Sequence, residues 1–209
     1  ALTNCITYNQ LHEEKTLLEG GCPPHLLFCS DLNNNPFADQ VYIKKIILSK
    51  NRFDLGTGYI AVDHHHKVIN MAFRGSSTRW DNIPPCDNCK LHSGFSLFLS
   101  SLQESFLETL QDTYEEYPDY NLVISGHSLG AAVAILCGIE VKLRGYDPTV
   151  VTYAQPKIFN FEMSEWVNNI FDIYKLDAKN RKTNSLDIKS GYYRVVHIND
   201  YVTDLPPLY

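Results

Sequence analysis

Leu122-Val123-Ile124-Ser125-Gly126-His127-Ser128-Leu129-Gly130-Ala131-Ala132 is the stretch on which the reading of this chain turns. A short apolar run suited to a fully buried strand leads into G-x-S-x-G, and a helix of small residues follows. That context places the serine at a strained strand-to-helix turn, with its hydroxyl exposed above the sheet edge. The flanking glycines let neighbouring elements approach. The helix N-terminus adds partial positive charge where an oxyanion would form. A simple tight turn would not require Ser128 at its apex. Ser128 is therefore the candidate nucleophile.

Downstream, residues 129–144 read as a helix that closes on Lys142, Arg144 and Gly145, the residue types that end helices. Residues 149–154 read as a strand, 161–171 as a helix, and the stretch to about 190 as a polar loop. A strand at 192–198 leads into Asn199-Asp200. Upstream, 41–49, 56–62 and 67–74 read as strands. Residues 93–117 carry Phe95, Phe98, Leu99, Leu102, Phe106 and Leu110 at helical spacing, and Pro118 stops the run. Alternation of strand and helix from 121 onward predicts a parallel sheet with helices on its faces. The preceding hairpin makes the sheet mixed. The His64-His65-His66 run reads as an exposed hairpin tip in preference to a metal site. The lysine-rich stretch 175–190 reads as a solvated loop, since Asp177 and Asp187 dilute its charge.

The chain has 209 residues, 44% of them hydrophobic and 20% charged, with a net charge of −6. That is a folded globular composition, and one large domain over residues 1–209 is favoured over two. A mildly acidic chain lacks the basic footprint of a nucleic-acid binder. No apolar run approaches the roughly 20 residues that span a bilayer. Six cysteines stand at 5, 22, 29, 86, 89 and 137. Free thiols, a zinc site and a redox C-x-x-C are open readings. Two local disulfides are preferred, because the pairs lack a four-ligand frame and Pro84-Pro85 precede Cys86. Disulfides imply a secreted protein. Cys137 reads as a buried free thiol, which leaves Cys5 without a partner.

Serine needs a base and an orienting acid. With the order serine, acid, histidine expected for such a turn, Asp200 fits just past a late strand, with Asp204 second. In order along the chain stand Phe73-Arg74-Gly75-Ser76-Ser77, His92-Ser93-Gly94-Phe95, Gly126-His127-Ser128-Leu129-Gly130, Tyr153-Ala154-Gln155-Pro156, His197-Ile198-Asn199-Asp200 and Leu205-Pro206-Pro207. Together they resemble the class 3 lipases, secreted α/β-hydrolases of fungi and yeasts, and Cys86-x-x-Cys89 with Gly145-Tyr146-Asp147-Pro148 resembles the secreted yeast members in particular. The resemblance implies an α/β fold with a mixed, mostly parallel sheet flanked by helices. It implies hydrolysis of lipid carboxylic esters through an acyl-enzyme at Ser128, with Asp200 orienting a histidine. Ser76 and Leu129 would supply the oxyanion-hole N–H groups, and Trp80 would lie on the lid. Cys22–Cys29 and Cys86–Cys89 would form the family's local disulfides, and Cys5 would pair near the C-terminus. No metal or organic cofactor is implied. The expected partners are a lipid or acyl-ester substrate and a transient lipid interface.

Two departures from that family follow. Nine residues come after Asp200, and none is histidine. His127 stands beside the nucleophile on the turn, with its side chain expected to point elsewhere, and His92 and His197 have counterparts in the resembling family that are not the base. The expectation is thus a domain lacking its C-terminal segment, with the base and the partner of Cys5 on a segment or second polypeptide beyond this sequence. Three accounts fit, in order of preference: a second chain after proteolysis, a tail missing from the sequence, or a natural lack. The last would make the protein a non-catalytic lipase-like lipid-binding protein or toxin subunit. The second departure is the lid, since only ten residues separate Gly75 from Cys86. A reduced lid would tilt substrate choice toward smaller or more soluble esters, or phospholipid.

Overall fold

The computed structural model describes residues 12–19, 37–48, 57–73, 86–91, 106–185 and 190–205. The elements are β1 (Lys15–Thr16), β2 (Val41–Leu48), β3 (Thr57–Asp63), β4 (Val68–Phe73), helix α1 (106–116), β5 (Asn121–His127) and α2 (Leu129–Leu143). They continue with β6 (Thr149–Tyr153), α3 (Phe161–Ile170), α4 (Ile173–Thr183) and β7 (Gly191–Val195), then a 3-10 turn at Tyr201–Asp204. Among the described residues, seven strands form one sheet in chain order. β1 to β4 pair antiparallel, and β4 to β7 pair parallel. The mixed sheet expected from the sequence is present, with three antiparallel and three parallel pairings among the described residues, so it is half rather than mostly parallel.

Register separates the two faces. Ile69 pairs with Leu122, Met71 with Ile124, and Ile124 with Val150, so these side chains share one face. All are buried there, together with Phe106 and Leu110 of α1 and Met163 and Val167 of α3. Each such side chain contributes about 1.5–3 kcal/mol on burial. α2 is the central element of this layer, with eleven of its fifteen residues buried. Its small residues allow that depth. A Cβ added at Gly138 would lie 2.4 Å from Cγ2 of the buried Val150. Alanine gains about 1 kcal/mol of helix propensity over glycine, while overpacking costs about 1–3 kcal/mol. Gly138→Ala is therefore expected to lower stability by up to about 2 kcal/mol in urea unfolding. A gain would refute the close seating of α2 on β6.

Two expectations change. Residues 173–183 form a helix where the sequence suggests loop. None of its residues is buried, so it leaves no strong apolar stripe for a sequence pattern to register. Its solvated character holds, with Arg181 paired to Asp177 at 2.8 Å. The last strand also ends at Val195, not 198, because its partner β6 ends at Tyr153. The expected helix start at 93–105 lies outside the described residues. The histidine run is an exposed turn, as read. There His66 bonds Asp63 at 2.7 Å, His64 bonds the Tyr120 hydroxyl at 3.0 Å, and His65 stacks on Phe37.

Cys86 and Cys89 are joined by a disulfide, and Cys137 is free and buried. Burial pushes the Cys137 thiol well above its ordinary value. Asn160, the N-cap of α3, ties the disulfide loop down. Its Oδ1 accepts from the N–H groups of Lys90 (2.8 Å) and Met163 (3.1 Å), and its Nδ2 donates to the Asn88 carbonyl (2.8 Å). Alkylation of the native protein followed by non-reducing digestion should recover the Cys86–Cys89 pair and leave Cys137 unmodified. A free Cys86, or rapid modification of Cys137, would contradict this arrangement. Cys5, Cys22 and Cys29 lie outside the described residues.

Candidate active site

Ser128 stands between β5 and α2 with φ 55° and ψ −121°. A non-glycine residue there carries strain of about 1–3 kcal/mol and persists only where its surroundings over-determine it. They do here. The Ser128 N–H donates to the Tyr153 carbonyl at 2.9 Å, and its own carbonyl accepts from Ala131 at 3.0 Å. Gly126 makes the turn possible, since a Cβ at that position would lie 2.1 Å from the Gly130 carbonyl oxygen. Ser128 occupies the N-cap position of α2, yet its side chain makes no capping bond. Its hydroxyl is not consumed by the helix. Leu129 opens α2, and the first N–H groups of a helix have no partner within it. Together with the helix dipole they favour negative charge beside Ser128.

Asp200 lies five residues past the end of β7, and Ser128 one residue past the end of β5. His127, Tyr153 and Val195 are in register, so both segments leave the same edge of the parallel sheet, on either side of β6. Asp200 is half-buried and caps the following turn, its Oδ1 accepting from Val202 N–H at 3.0 Å. Its rival Asp204 is exposed and pairs with Lys157 at 3.0 Å. Ile198 and Tyr201, near Asp200 in the chain, are 93% and 75% exposed. Among the described residues no histidine bonds Ser128 or Asp200; His197 instead accepts from Asn199 N–H at 3.3 Å. Ser76, Trp80, His92 and the expected lid lie outside the described residues. Among the described residues no histidine, cysteine or carboxylate group is arranged to hold a metal.

Sequence reasoning passes over Arg194, whose signal is a single cation inside the strand Tyr192-Tyr193-Arg194-Val195. Its Nη2 donates to the carbonyls of Gln155 (2.8 Å) and Thr203 (3.0 Å). Gln155 is buried, and its Oε1 accepts from the Tyr192 hydroxyl at 2.8 Å. Burial holds that hydroxyl above the usual tyrosine value.

A mixed sheet with a strained serine between a parallel strand and a small-residue helix defines an α/β-hydrolase. Comparison with known proteins narrows the class. The family model described as Lipase (class 3) matches residues 62–209, well over half of the chain. The chain belongs to the class 3 lipase family. It is 39% identical over 236 residues to the Saccharomyces cerevisiae protein LIH1, covering 100% of this chain and 72% of that one. It is 30% identical over 162 residues to a secreted mono- and diacylglycerol lipase A of Penicillium cyclopium, covering 72% of this chain and 47% of the relative. Among solved structures, Lip2 lipase from Yarrowia lipolytica superposes with a TM-score of 0.68 at 30% identity, over 83% of this chain and 62% of that one. The chain thus spans about half the length of the Penicillium lipase.

Proposed function

We propose that this protein is a secreted serine hydrolase that cleaves carboxylic esters of lipids. The observation that carries the reading is the strained backbone of Ser128 at the β5–α2 turn. Serine attacks the ester carbonyl, and the tetrahedral oxyanion is held by N–H groups at the start of α2, Leu129 first, and from the Ser76 segment. One such donor contributes about 2.7–4 kcal/mol. The alcohol leaves, and water hydrolyses the acyl-enzyme. Asp200 orients a histidine that acts first as base and then as acid. Among the described residues no histidine bonds Ser128 or Asp200.

The exposed apolar side chains of Ile198 and Tyr201, near Asp200 in the chain, suit an acyl chain. The Penicillium relative is named for mono- and diacylglycerols, which makes partial glycerides the first substrates to try. Secretion is supported by the Cys86–Cys89 disulfide and by that relative's name. The reading is tested by treating the native full-length protein with a fluorophosphonate and mapping the adduct by mass. One phosphonyl group on Ser128 is expected. No adduct, with the protein folded, would favour the non-catalytic lipid-binding alternative.

A further inference from the structure

We propose that Arg194 is a positioning residue, clasping the Asp200 turn to the β6–α3 loop so that the carboxylate keeps its orientation. The proposal rests on the hydrolase reading for the purpose of that orientation. The turn Tyr201–Asp204 has no buried residue, so polar ties, not packing, decide where it sits. Within the turn Asp200 and Thr203 move together. Thr203 donates to the Asp200 carbonyl through its Oγ1 (2.8 Å) and its N–H (3.3 Å). Asp200 Oδ1 holds Val202 N–H. A tie to Thr203 is therefore a tie to Asp200.

Among the described residues, three ties reach this turn from the body of the protein. The Lys157–Asp204 ion pair is largely exposed, and such pairs contribute little. The Lys157 N–H donates to the Leu205 carbonyl at 2.7 Å, which holds the residue after the turn. Arg194 is itself exposed, but it brings one charged donor to two backbone carbonyls, that of Thr203 within the turn and that of the buried Gln155. Charge-assisted bonds are about twice as strong as neutral ones. A cavity of about 190 Å³, lined by Gln155, Lys157, Ser164, Val167 and Arg194 among others, lies beside the clasp.

The test uses the native full-length protein and two readouts. The first is the rate of fluorophosphonate labelling at Ser128 against pH. The second is hydrogen exchange at the Val202 amide. Arg194→Gln is expected to slow labelling about 100-fold, the order of loss for a 1 Å misplacement. A carboxylate that no longer faces the histidine lowers its pKa, so the acid limb should also move to lower pH. Val202 should exchange faster. Arg194→Lys, whose single ammonium cannot reproduce the guanidinium fork, should fall between. It also keeps the test valid if Arg194→Gln fails to fold. Lys157→Ala should change neither readout appreciably. Unchanged labelling or unchanged Val202 exchange in a folded Arg194 variant overturns the proposal. A uniform drop in rate with an unmoved acid limb also overturns it. A wild type that does not label overturns the hydrolase reading, and Val202 exchange alone then decides whether the clasp exists.

Discussion

Replacing Ser128 with alanine is expected to lower hydrolysis of a chromogenic acyl ester by about 10⁴-fold or more, the scale on which nucleophile removal acts. The protein should remain folded, because alanine keeps the Cβ and both backbone bonds of the turn, to Tyr153 and from Ala131. Stability should stay within about 0.5 kcal/mol of wild type. Ser128→Gly separates strain from chemistry. Glycine removes about 1–3 kcal/mol of backbone strain at φ 55°, against about 0.5–1 kcal/mol of added chain entropy. It should be as inactive as the alanine variant and more stable by about 1 kcal/mol in urea unfolding. Retained ester hydrolysis in either variant would remove Ser128 from the mechanism. A destabilised glycine variant would refute the strain.

Gly126→Ala is expected to prevent the native fold or to cost more than about 4 kcal/mol. The new Cβ would lie 2.1 Å and 2.4 Å from the Gly130 carbonyl atoms and 2.8 Å from the Ala131 nitrogen. All three are backbone atoms in the first turn of α2, so no side chain can swing aside. Gly126 does not have a positive φ. The requirement is for space, and it arises because the chain reverses over itself to lift Ser128. Circular dichroism and a urea titration would decide it. A folded variant with near-native stability would refute the close crossing of β5 and α2.

The strand–serine–helix turn was legible in the sequence because its parts are local. An apolar run, two glycines around a serine and a small-residue helix each leave a mark within a dozen residues. The parallel order of β5, β6 and β7 was legible for the same reason, since strand and helix periods alternate there. α4 was not, because a helix that buries nothing has no apolar stripe to show. The end of β7 was misplaced because Val196 and Ile198 look like strand residues, while the strand stops where β6 stops.

By itself the sequence determined the class of fold, the serine at the turn and the acid candidate past the last strand. Each depends on side chains close together in the chain. Tertiary structure alone decided that Ser128 carries a strained backbone and that Gly126 needs space rather than a special φ. It alone decided that Asp200, not the solvent-facing Asp204, caps the turn that Arg194 holds. These depend on atoms from β5, β6, β7 and the loops between them meeting at one edge of the sheet. Hydrogen bonds between residues dozens of positions apart leave no spacing for a sequence to display.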